Sequence, residues 1–357
     1  MKVHQILVTL AYGDGVGNDV MAINEILKKH GYDADIYAQN IDGRISCEDV
    51  HEFEEMPDLA EDDLILYHLS IGTELNEQFP EWKGRKIIVY HNITPPQWFE
   101  GLDENGIRLC TTGLSQTREL ARYAKYCFAD SEFNKQDLIS MGYRCPIDVL
   151  PIIIPFEDYD KEPDEEVLKK YQDDYVNVLF AGRISPNKKQ EDVIRAFAEY
   201  QRNYNEKSRL FLVGAYAEES SYYQTVRECV ERTGARNVIF TGHIPFAQIL
   251  SYFHSADLFL CMSEHEGFCI PLLEAMHFEI PVLAYSSTAV PYTMGGSGVL
   301  FEEKNYGEIA KAMDKVMRDS EYRRNIIEKQ NERLQAFQYE KIENDFIAMI
   351  EHFLEAE

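Results

Sequence analysis

Short apolar stretches alternate with longer amphipathic stretches along the 357 residues. The apolar stretches have the length and aliphatic content of buried strands, and the amphipathic ones have helical spacing. In the first part of the chain the pattern predicts strands at 4–10, 33–38, 63–69, 86–92, 126–130 and 147–151. This alternation is typical of a parallel sheet flanked by helices.

A second series follows the acidic segment between Glu157 and Asp174, with strands predicted at 176–182, 209–214, 237–242, 257–263 and 281–285. Helical patterns then cover 304–319, 320–335 and 340–355. We therefore predict an α/β protein with two Rossmann-like, doubly wound domains, over residues 1–155 and 156–335. For the final helix, within 336–357, packing back on the N-terminal domain is one of two alternatives.

Charge and composition exclude several classes of protein. The chain has 35 basic and 62 acidic residues, a formal charge of −27, and both halves are acidic, so nucleic acid is not an expected partner. No apolar run reaches the ~18–20 residues that cross a bilayer, so at most a peripheral membrane contact is expected. Arg118, Arg122 and Lys125 could share one helical face for such a contact, but a solvated helix face is the better interpretation. Seven cysteines without a Cys-x-x-Cys pair indicate reduced thiols and a cytoplasmic location.

The most informative loop follows the strand predicted at 257–263. Pro271 is predicted as the first residue of a helix, and the amides before it then form a helix N-terminus, which attracts anions such as phosphate. Glu266 precedes this helix and Glu274 lies about one turn inside it, so both carboxylates can accept hydrogen bonds from sugar hydroxyls. Alternatively, both acids only complement the helix dipole.

A second loop, after the strand predicted at 176–182, carries Arg183 and Lys188. Such cations at the carboxyl end of a strand can neutralise a diphosphate, although alone they are more often solvated loop charges. In an acidic chain, this pair beside a helix N-terminus makes a bound phosphate more probable than either feature alone.

These motifs resemble the retaining GT-B glycosyltransferases of family 4, the glycosyl transferases group 1. The resemblance lies in Gly-Arg-x4-Lys at 182–188, Gly242-His243, and Glu-Gly-Phe-x-x-Pro-x-x-Glu-Ala-Met at 266–276, followed by Pro281-Val282. In the first domain it continues with the glycine-rich loop 13–17, with His91, and with Ala129-Asp130-Ser131 before a helix. It implies two domains facing a cleft, the first on the acceptor side and the second binding the nucleotide-sugar.

The resemblance also implies roles for individual residues. Arg183 and Lys188 would hold the donor diphosphate, Glu274 the nucleotide ribose and Glu266 the transferred sugar. The loop amides of Gly267, Phe268, Cys269 and Ile270 would contact sugar and phosphate; His91 would lie beside the transferred sugar, and Gly13, Gly15 and Gly17 would form a flexible loop on the phosphate side. The implied reaction moves a sugar from a nucleotide-diphospho-sugar to a glycan, lipid-linked or small-molecule acceptor, with retention, in polysaccharide or glycoconjugate synthesis.

Two positions depart from the family pattern. Cys269 stands where many members have glycine, and Tyr292 follows Pro291 where many have glutamate. The donor is therefore not specified. Fixed cations and a helix end can stabilise the leaving diphosphate, so no cofactor and no essential metal are expected. Asp33-Ala34-Asp35 could hold a metal in another architecture, but it lies within a predicted strand, where an ordinary edge pair is the better interpretation.

Other functions remain as alternatives. A nucleotide-sugar epimerase or a binding module on the same scaffold fits the same motifs. An NAD-dependent oxidoreductase is suggested by Gly13-x-Gly15-x-Gly17 after a strand, but the third glycine is misplaced for the dinucleotide fingerprint.

Overall fold

The computed structural model describes residues 1–356, which form two compact units. The first unit contains Met1–Pro155 together with Phe337 and the residues after it, and the second contains Phe156–Ala336.

The strands are β1 (Lys2–Leu10), β2 (Asp33–Ile41), β3 (Val50–Glu52), β4 (Leu64–Leu69), β5 (Arg85–Tyr90), β6 (Cys127–Ala129), β7 (Ile147–Val149), β8 (Val176–Ala181), β9 (Ser208–Val213), β10 (Val238–Gly242), β11 (Leu258–Cys261), β12 (Val282–Tyr285) and β13 (Val299–Phe301). The helices are α1 (Gly15–Lys29), α2 (Glu74–Gln78), α3 (Glu104–Leu120), α4 (Glu132–Ser140), α5 (Glu165–Lys170), α6 (Gln190–Asn203), α7 (Ser221–Thr233), α8 (Phe246–His254), α9 (Ile270–His277), α10 (Val290–Met294), α11 (Tyr306–Arg318), α12 (Ser320–Leu334) and α13 (Tyr339–Ala356). Short 3₁₀ turns cover Phe53–Glu55, Phe79–Glu81, Pro96–Phe99, Phe156–Asp160, Pro186–Lys188 and Gln335–Phe337.

Each unit is built on one parallel sheet. The strand order is β3-β2-β1-β4-β5-β6-β7 in the first unit and β10-β9-β8-β11-β12-β13 in the second. The order reverses between β1 and β4 in one sheet and between β8 and β11 in the other. Loops that follow strands on either side of such a reversal leave a crevice at the carboxyl edge, where α/β proteins bind ligands.

Central strands are buried along their whole length, as β4 and β9 show. Because helices cover both faces of a parallel sheet, these strands are buried at every position rather than at alternate ones. The predicted α/β class with two doubly wound domains is confirmed. Two strands, β3 and β13, were not predicted, because each has three residues and neither forms an apolar run long enough to register.

Within residues 1–356, no helix combines the length and the apolar character needed to cross a membrane. The predicted basic face of Arg118, Arg122 and Lys125 does not form, because α3 ends at Leu120 and the chain turns there.

The last helix, α13, belongs to the first unit. Phe346 is fully buried with its ring 5.8 Å from that of Phe128, and Phe353 lies 5.2 Å from the ring of Tyr126. Glu343 of the same helix accepts hydrogen bonds from Lys29 Nζ at 2.8 Å and from His30 at 2.7 Å. The chain therefore returns to its first sheet after completing the second.

We expect Phe346→Ala to lower the free energy of unfolding by about 3–5 kcal/mol, because a buried aromatic ring is lost and a cavity remains. Asn344→Ala, on the exposed side of the same helix, is the matched control and is expected to change stability by less than ~0.5 kcal/mol. Urea unfolding followed by near-ultraviolet circular dichroism measures both. Equal effects of the two variants would show that α13 adds no stability to the first unit.

Candidate functional site

Two loops of the second unit meet where its strand order reverses. The first, 182–189, follows β8, and the second, 262–269, follows β11, the strand paired with β8. Asn187 joins them: its carbonyl accepts the Glu264 N–H at 2.8 Å, and its Nδ2 donates to the His265 carbonyl at 2.9 Å. Sequence reasoning missed Asn187, whose importance depends on this contact between distant loops.

An ion pair lies at this junction. Lys188 Nζ is 2.5 Å from Glu266 Oε2, and the side chains are 24% and 6% exposed. Burial alone would lower the pKa of Lys188, but the carboxylate of Glu266 outweighs that effect and the pKa is raised. The two residues are 78 positions apart, and the structure brings both of these predicted site residues together.

The backbone of the second loop is fixed by the segment that leads into α10. The Glu266 N–H donates to Thr288 Oγ1 at 2.8 Å, and the Glu266 carbonyl accepts the Ala289 N–H at 3.3 Å. Two residues further on, the Phe268 carbonyl accepts the Thr293 hydroxyl at 2.5 Å. Glu266 and the loop amides after it are thus held by groups that the motif itself does not contain.

Arg183, the other predicted cation, is exposed, and within the described residues its side chain makes no ion pair. Its backbone position is set by a close approach of neighbouring strand ends. The Gly182 N–H donates to Val213 at 2.8 Å, and a Cβ on Gly214 would lie 2.2 Å from the Gly182 carbonyl oxygen. Only glycine at 214 allows this packing, and Arg183 is left facing solvent at the edge of the sheet.

Helix α9 begins at Ile270, one residue earlier than the Pro271 start predicted from sequence. Cys269 precedes it with φ of 74°, in the left-handed region that glycine adopts without strain. The Cys269 side chain does not cap the helix. Cys269 therefore adopts a glycine-like conformation, at the position where many members of the resembled family have glycine.

Glu274, one turn into α9, is held by a tyrosine. Its Oε1 accepts a 2.7 Å hydrogen bond from the Tyr159 hydroxyl, which lies in the 3₁₀ turn that opens the second unit. Burial raises the pKa of Glu274 to about 7, and the tyrosine bond opposes this by favouring the ionised form. Tyr159 was not predicted from sequence, since it lies 115 residues before its partner.

In the first unit, the glycine loop is shorter than predicted. Gly13 has φ of 75°, but α1 already begins at Gly15, so Gly15 and Gly17 belong to the first turn of the helix. Gly17 is buried, and a Cβ there would lie 2.5 Å from the Ala11 carbonyl oxygen. Close packing against the end of β1 is therefore sufficient reason for a glycine at 17, and its role in donor binding stays a prediction.

His91, directly after β5, lies inside a buried chain of polar groups. Its Nδ1 is 3.1 Å from Asp130 Oδ2, and its Nε2 is 2.9 Å from Nδ1 of His68. His68 Nε2 is in turn 3.0 Å from Gln5 Oε1. The His91 side chain is 0% exposed and both its ring nitrogens are engaged.

The hydrogen-bond partners in this buried network indicate which nitrogens of His68 and His91 carry protons. Gln5 Nε2 donates to Val20 and Asn24, so Gln5 Oε1 is an acceptor and His68 Nε2 must carry a proton. Burial holds the pKa of His68 well below its usual value, so its Nδ1 is an acceptor and His91 Nε2 donates to it. His91 therefore carries a proton on Nε2, and its Nδ1 shares a second proton with Asp130, whose pKa is raised by burial.

Two opposing effects act on the pKa of His91. Burial alone would lower the pKa of His91, but the Asp130 carboxylate outweighs it and the pKa is raised. Nearby in α1, Asp19 accepts the Ile153 N–H at 2.8 Å, and burial raises its pKa to about 7. Asp130 also precedes α4, the helix expected after the Ala-Asp-Ser motif, and the Ser131 side chain caps the first turn of that helix. His68 and Asp19 carry no sequence signal that marks them as members of this network.

The Asp-x-Asp pair in β2 is occupied by basic partners. Asp33 lies 3.5 Å from Lys2 Nζ and Asp35 lies 3.7 Å from His51 Nε2. Asp33 thus forms an exposed ion pair at the start of β2, and Asp35 faces the imidazole of the neighbouring strand.

We expect Tyr159→Phe to destabilise the protein more at pH 8 than at pH 5. The raised pKa of Glu274 means that stability falls as pH rises from about 4.5 towards about 7, where the buried carboxyl ionises. Above that range the tyrosine bond is made to a charged group, so its removal costs about 1.5–3 kcal/mol, against about 0.5–1.5 kcal/mol when Glu274 is protonated.

Urea unfolding at both pH values tests this, with Tyr292→Phe at an exposed tyrosine as the control. A pH-independent effect of Tyr159→Phe would contradict the assigned role of its hydroxyl.

Comparison with known proteins finds similar sequences for the part of the chain that carries this site. Residues 160–333 match the sequence model of the glycosyl transferases group 1. The chain is 27% identical over 175 residues to the serotype-specific mannosyltransferase WbdA of Escherichia coli. The aligned segment is 47% of this chain but only 21% of that protein. The chain is 23% identical over 254 residues to the O-antigen chain mannosyltransferase B of Escherichia coli, covering 70% of this chain and 65% of that one.

The fold is also that of solved structures. Anabaena Alr3699/HepE, crystallised in complex with UDP-glucose, superposes with a TM-score of 0.74 at 18% identity, over 99% of this chain and all of that one. The matched family segment contains the loops of Arg183, Lys188 and Glu266 as well as helix α9. The chain therefore has the GT-B fold, and residues 160–333, nearly all of its second unit, match the model of the glycosyl transferases group 1.

Proposed function

We propose that the protein transfers a sugar, with retention at the anomeric carbon, from a nucleotide-diphospho-sugar to a glycan or lipid-linked acceptor. The observation that carries this proposal is the junction of the 182–189 and 262–269 loops. It combines an exposed arginine, a lysine in contact with a buried glutamate, and a helix N-terminus at the carboxyl edge of one parallel sheet.

Departure of a diphosphate from an anomeric carbon builds negative charge on the leaving oxygen. In the proposed mechanism Arg183, Lys188 and the N-terminus of α9 stabilise this charge, so no essential metal is needed. Lys188 already lies 2.5 Å from Glu266. A bound donor would therefore receive a cation and an acceptor from one preformed pair, with Lys188 towards phosphate and Glu266 towards sugar hydroxyls. The amides of Gly267, Phe268, Cys269 and Ile270 would contact the same groups.

We assign Glu274 to the nucleotide ribose. A carboxylate accepts hydrogen bonds from both ribose hydroxyls, and Tyr159 favours the ionised form that this requires. Because the pKa of Glu274 is about 7, hydrogen bonds from the ribose hydroxyls would shift it towards its ionised form. Nucleotide binding and deprotonation of Glu274 are thus expected to be coupled.

We assign the first unit to the acceptor side and His91 to the reacting sugar. Because both nitrogens of His91 are engaged, this role requires the bond to His68 to open when substrates bind, which frees the Nε2–H as a donor. Gly13 and Gly15, at the uncovered start of α1, are assigned to the phosphate side of the donor, together with Gly17 behind them.

The acceptor class is supported by the relatives. One of them is named an O-antigen chain mannosyltransferase, so we propose polysaccharide or glycoconjugate synthesis for this chain, with at most a peripheral contact to a membrane.

The direct test is a thermal-shift panel of UDP, GDP and ADP with their sugars, in the presence of EDTA. One nucleotide series is expected to raise the melting temperature in EDTA as much as with Mg²⁺, because a ligand bound only to the native state stabilises it. Arg183→Ala is expected to weaken diphosphate binding about tenfold or more while leaving the unliganded melting temperature unchanged, since no buried partner is lost.

Lys311→Ala, an exposed lysine on α11, is the matched control for loss of one positive charge. A melting shift that required a divalent ion, or full binding by Arg183→Ala, would refute the assigned diphosphate site. Epimerisation of the donor sugar without transfer to any acceptor would refute the proposed reaction.

The two glutamates are expected to separate binding from turnover. Glu274→Gln should weaken binding of the free nucleotide and of the intact donor alike, because the ribose does not change during the reaction. Glu266→Gln should leave nucleotide affinity nearly intact and lower kcat, because its contacts tighten as the sugar ring acquires positive character.

Calorimetry with the nucleoside diphosphate and steady-state transfer assays on both variants measure the two effects. If Glu266→Gln abolished nucleotide binding while Glu274→Gln left it unchanged, the two assignments would be wrong.

A further inference from the structure

Two thiols converge on the buried glutamate of the site. Cys261 ends β11 and Cys269 precedes α9, and both are buried. Their sulfur atoms and one carboxylate oxygen of Glu266 all lie within 4.8 Å of one another. Within residues 1–356 no other three histidine, cysteine or acidic side chains converge in this way.

We propose that Cys261, Cys269 and Glu266 bind a thiophilic divalent cation such as Zn²⁺. In a tetrahedral zinc site the bonds are about 2.3 Å to sulfur and about 2.0–2.2 Å to oxygen, which places ligand atoms roughly 3.5–3.8 Å apart. Three atoms within 4.8 Å therefore need inward shifts on the order of 1 Å, and a solvent molecule would complete the coordination.

Lys188 brings the net charge of the metal-bound site to zero. Binding releases the two thiol protons to solvent and forms two metal–sulfur bonds and one metal–oxygen bond. The cation then contributes two positive charges and Lys188 one, against two thiolates and one carboxylate, so the cluster is neutral. Glu266 can serve both partners, because a carboxylate has two oxygens and only Oε2 is needed for the contact with Lys188.

The backbone of Cys269 supports a role for its side chain. A residue with a Cβ in the left-handed region costs roughly 1–2 kcal/mol relative to glycine. A cysteine is kept at φ of 74° in spite of this, with its sulfur beside that of Cys261. A ligand role accounts for the sulfur atom at a position where glycine would be unstrained.

Occupancy of this site has a consequence that rests on the proposed function. A metal bound to Glu266 would occupy the carboxylate assigned to the sugar. Lys188, assigned to the diphosphate, would stay beside that carboxylate and help to neutralise the ligands of the metal. Zn²⁺ is therefore expected to inhibit donor binding, and the metal is a competitor of the donor rather than a cofactor.

The test is a Cd²⁺ titration without donor, followed by the ultraviolet charge-transfer band of cadmium thiolates, under a phosphine reductant. The parent protein carries Cys47→Ser and Cys145→Ser. These changes remove the exposed thiol and break the second close thiol pair, Cys127 and Cys145, whose sulfurs are 3.7 Å apart. One equivalent of Cd²⁺ is expected to bind with a two-thiolate signal.

In this parent, Cys269→Gly is expected to lower Cd²⁺ affinity at least tenfold and to remove the two-thiolate band. It should fold normally, because glycine suits the backbone at 269. Glu266→Gln is expected to weaken binding while keeping the band. Cys229→Ser, at a buried thiol of the same unit that donates to the Glu191 carbonyl at 3.5 Å, is the control and should bind as the parent does.

Equal Cd²⁺ affinity in the parent and in Cys269→Gly would overturn the proposal. So would an intact mass two hydrogens lower with no charge-transfer band, which would identify a disulfide instead. Because the titration contains no donor, its outcome is independent of whether the protein transfers a sugar.

Discussion

The pairing of β8 with β11 is the constraint on which the site depends. These strands are about eighty residues apart in the chain, yet they are neighbours in the second sheet, and both are parallel. Parallel neighbours end at the same edge, so the loops that follow them must meet. The hydrogen bonds of Asn187 to the second loop and the contact of Lys188 with Glu266 are consequences of that geometry.

Both units place an ion pair that is largely removed from water just beyond a strand end. In the second unit, Lys188 and Glu266 satisfy each other; in the first, His91 and Asp130 do so, with His68 as the next acceptor. Leaving one partner of such a pair alone is costly, because the remaining charge loses both water and counter-ion. The two members of each pair therefore stay in contact unless another charged or polar group binds beside them and replaces part of that contact.

The sequence predicted the parallel sheets, most strands and the loops that carry Arg183, Lys188 and Glu266, because apolar periodicity and motif spacing are local properties. It did not predict Tyr159 on Glu274, Thr288 on the Glu266 amide or His68 on His91. Those contacts join residues 22 to 115 positions apart, and each partner is of a common type with no local signal. The glycine loop was predicted too long, since a glycine-rich stretch does not show that α1 starts at Gly15.

The return of α13 to the first sheet makes that unit discontinuous in the chain. Residues 156–336 form a continuous segment and can complete their own sheet as soon as they are synthesised. The first unit has its strands earlier but lacks the Phe346 and Glu343 contacts until the chain beyond 336 has emerged. During translation its apolar surface under α13 stays uncovered while the second unit folds, so the first unit to be made is the last to be finished, and that surface is the one open to chaperones.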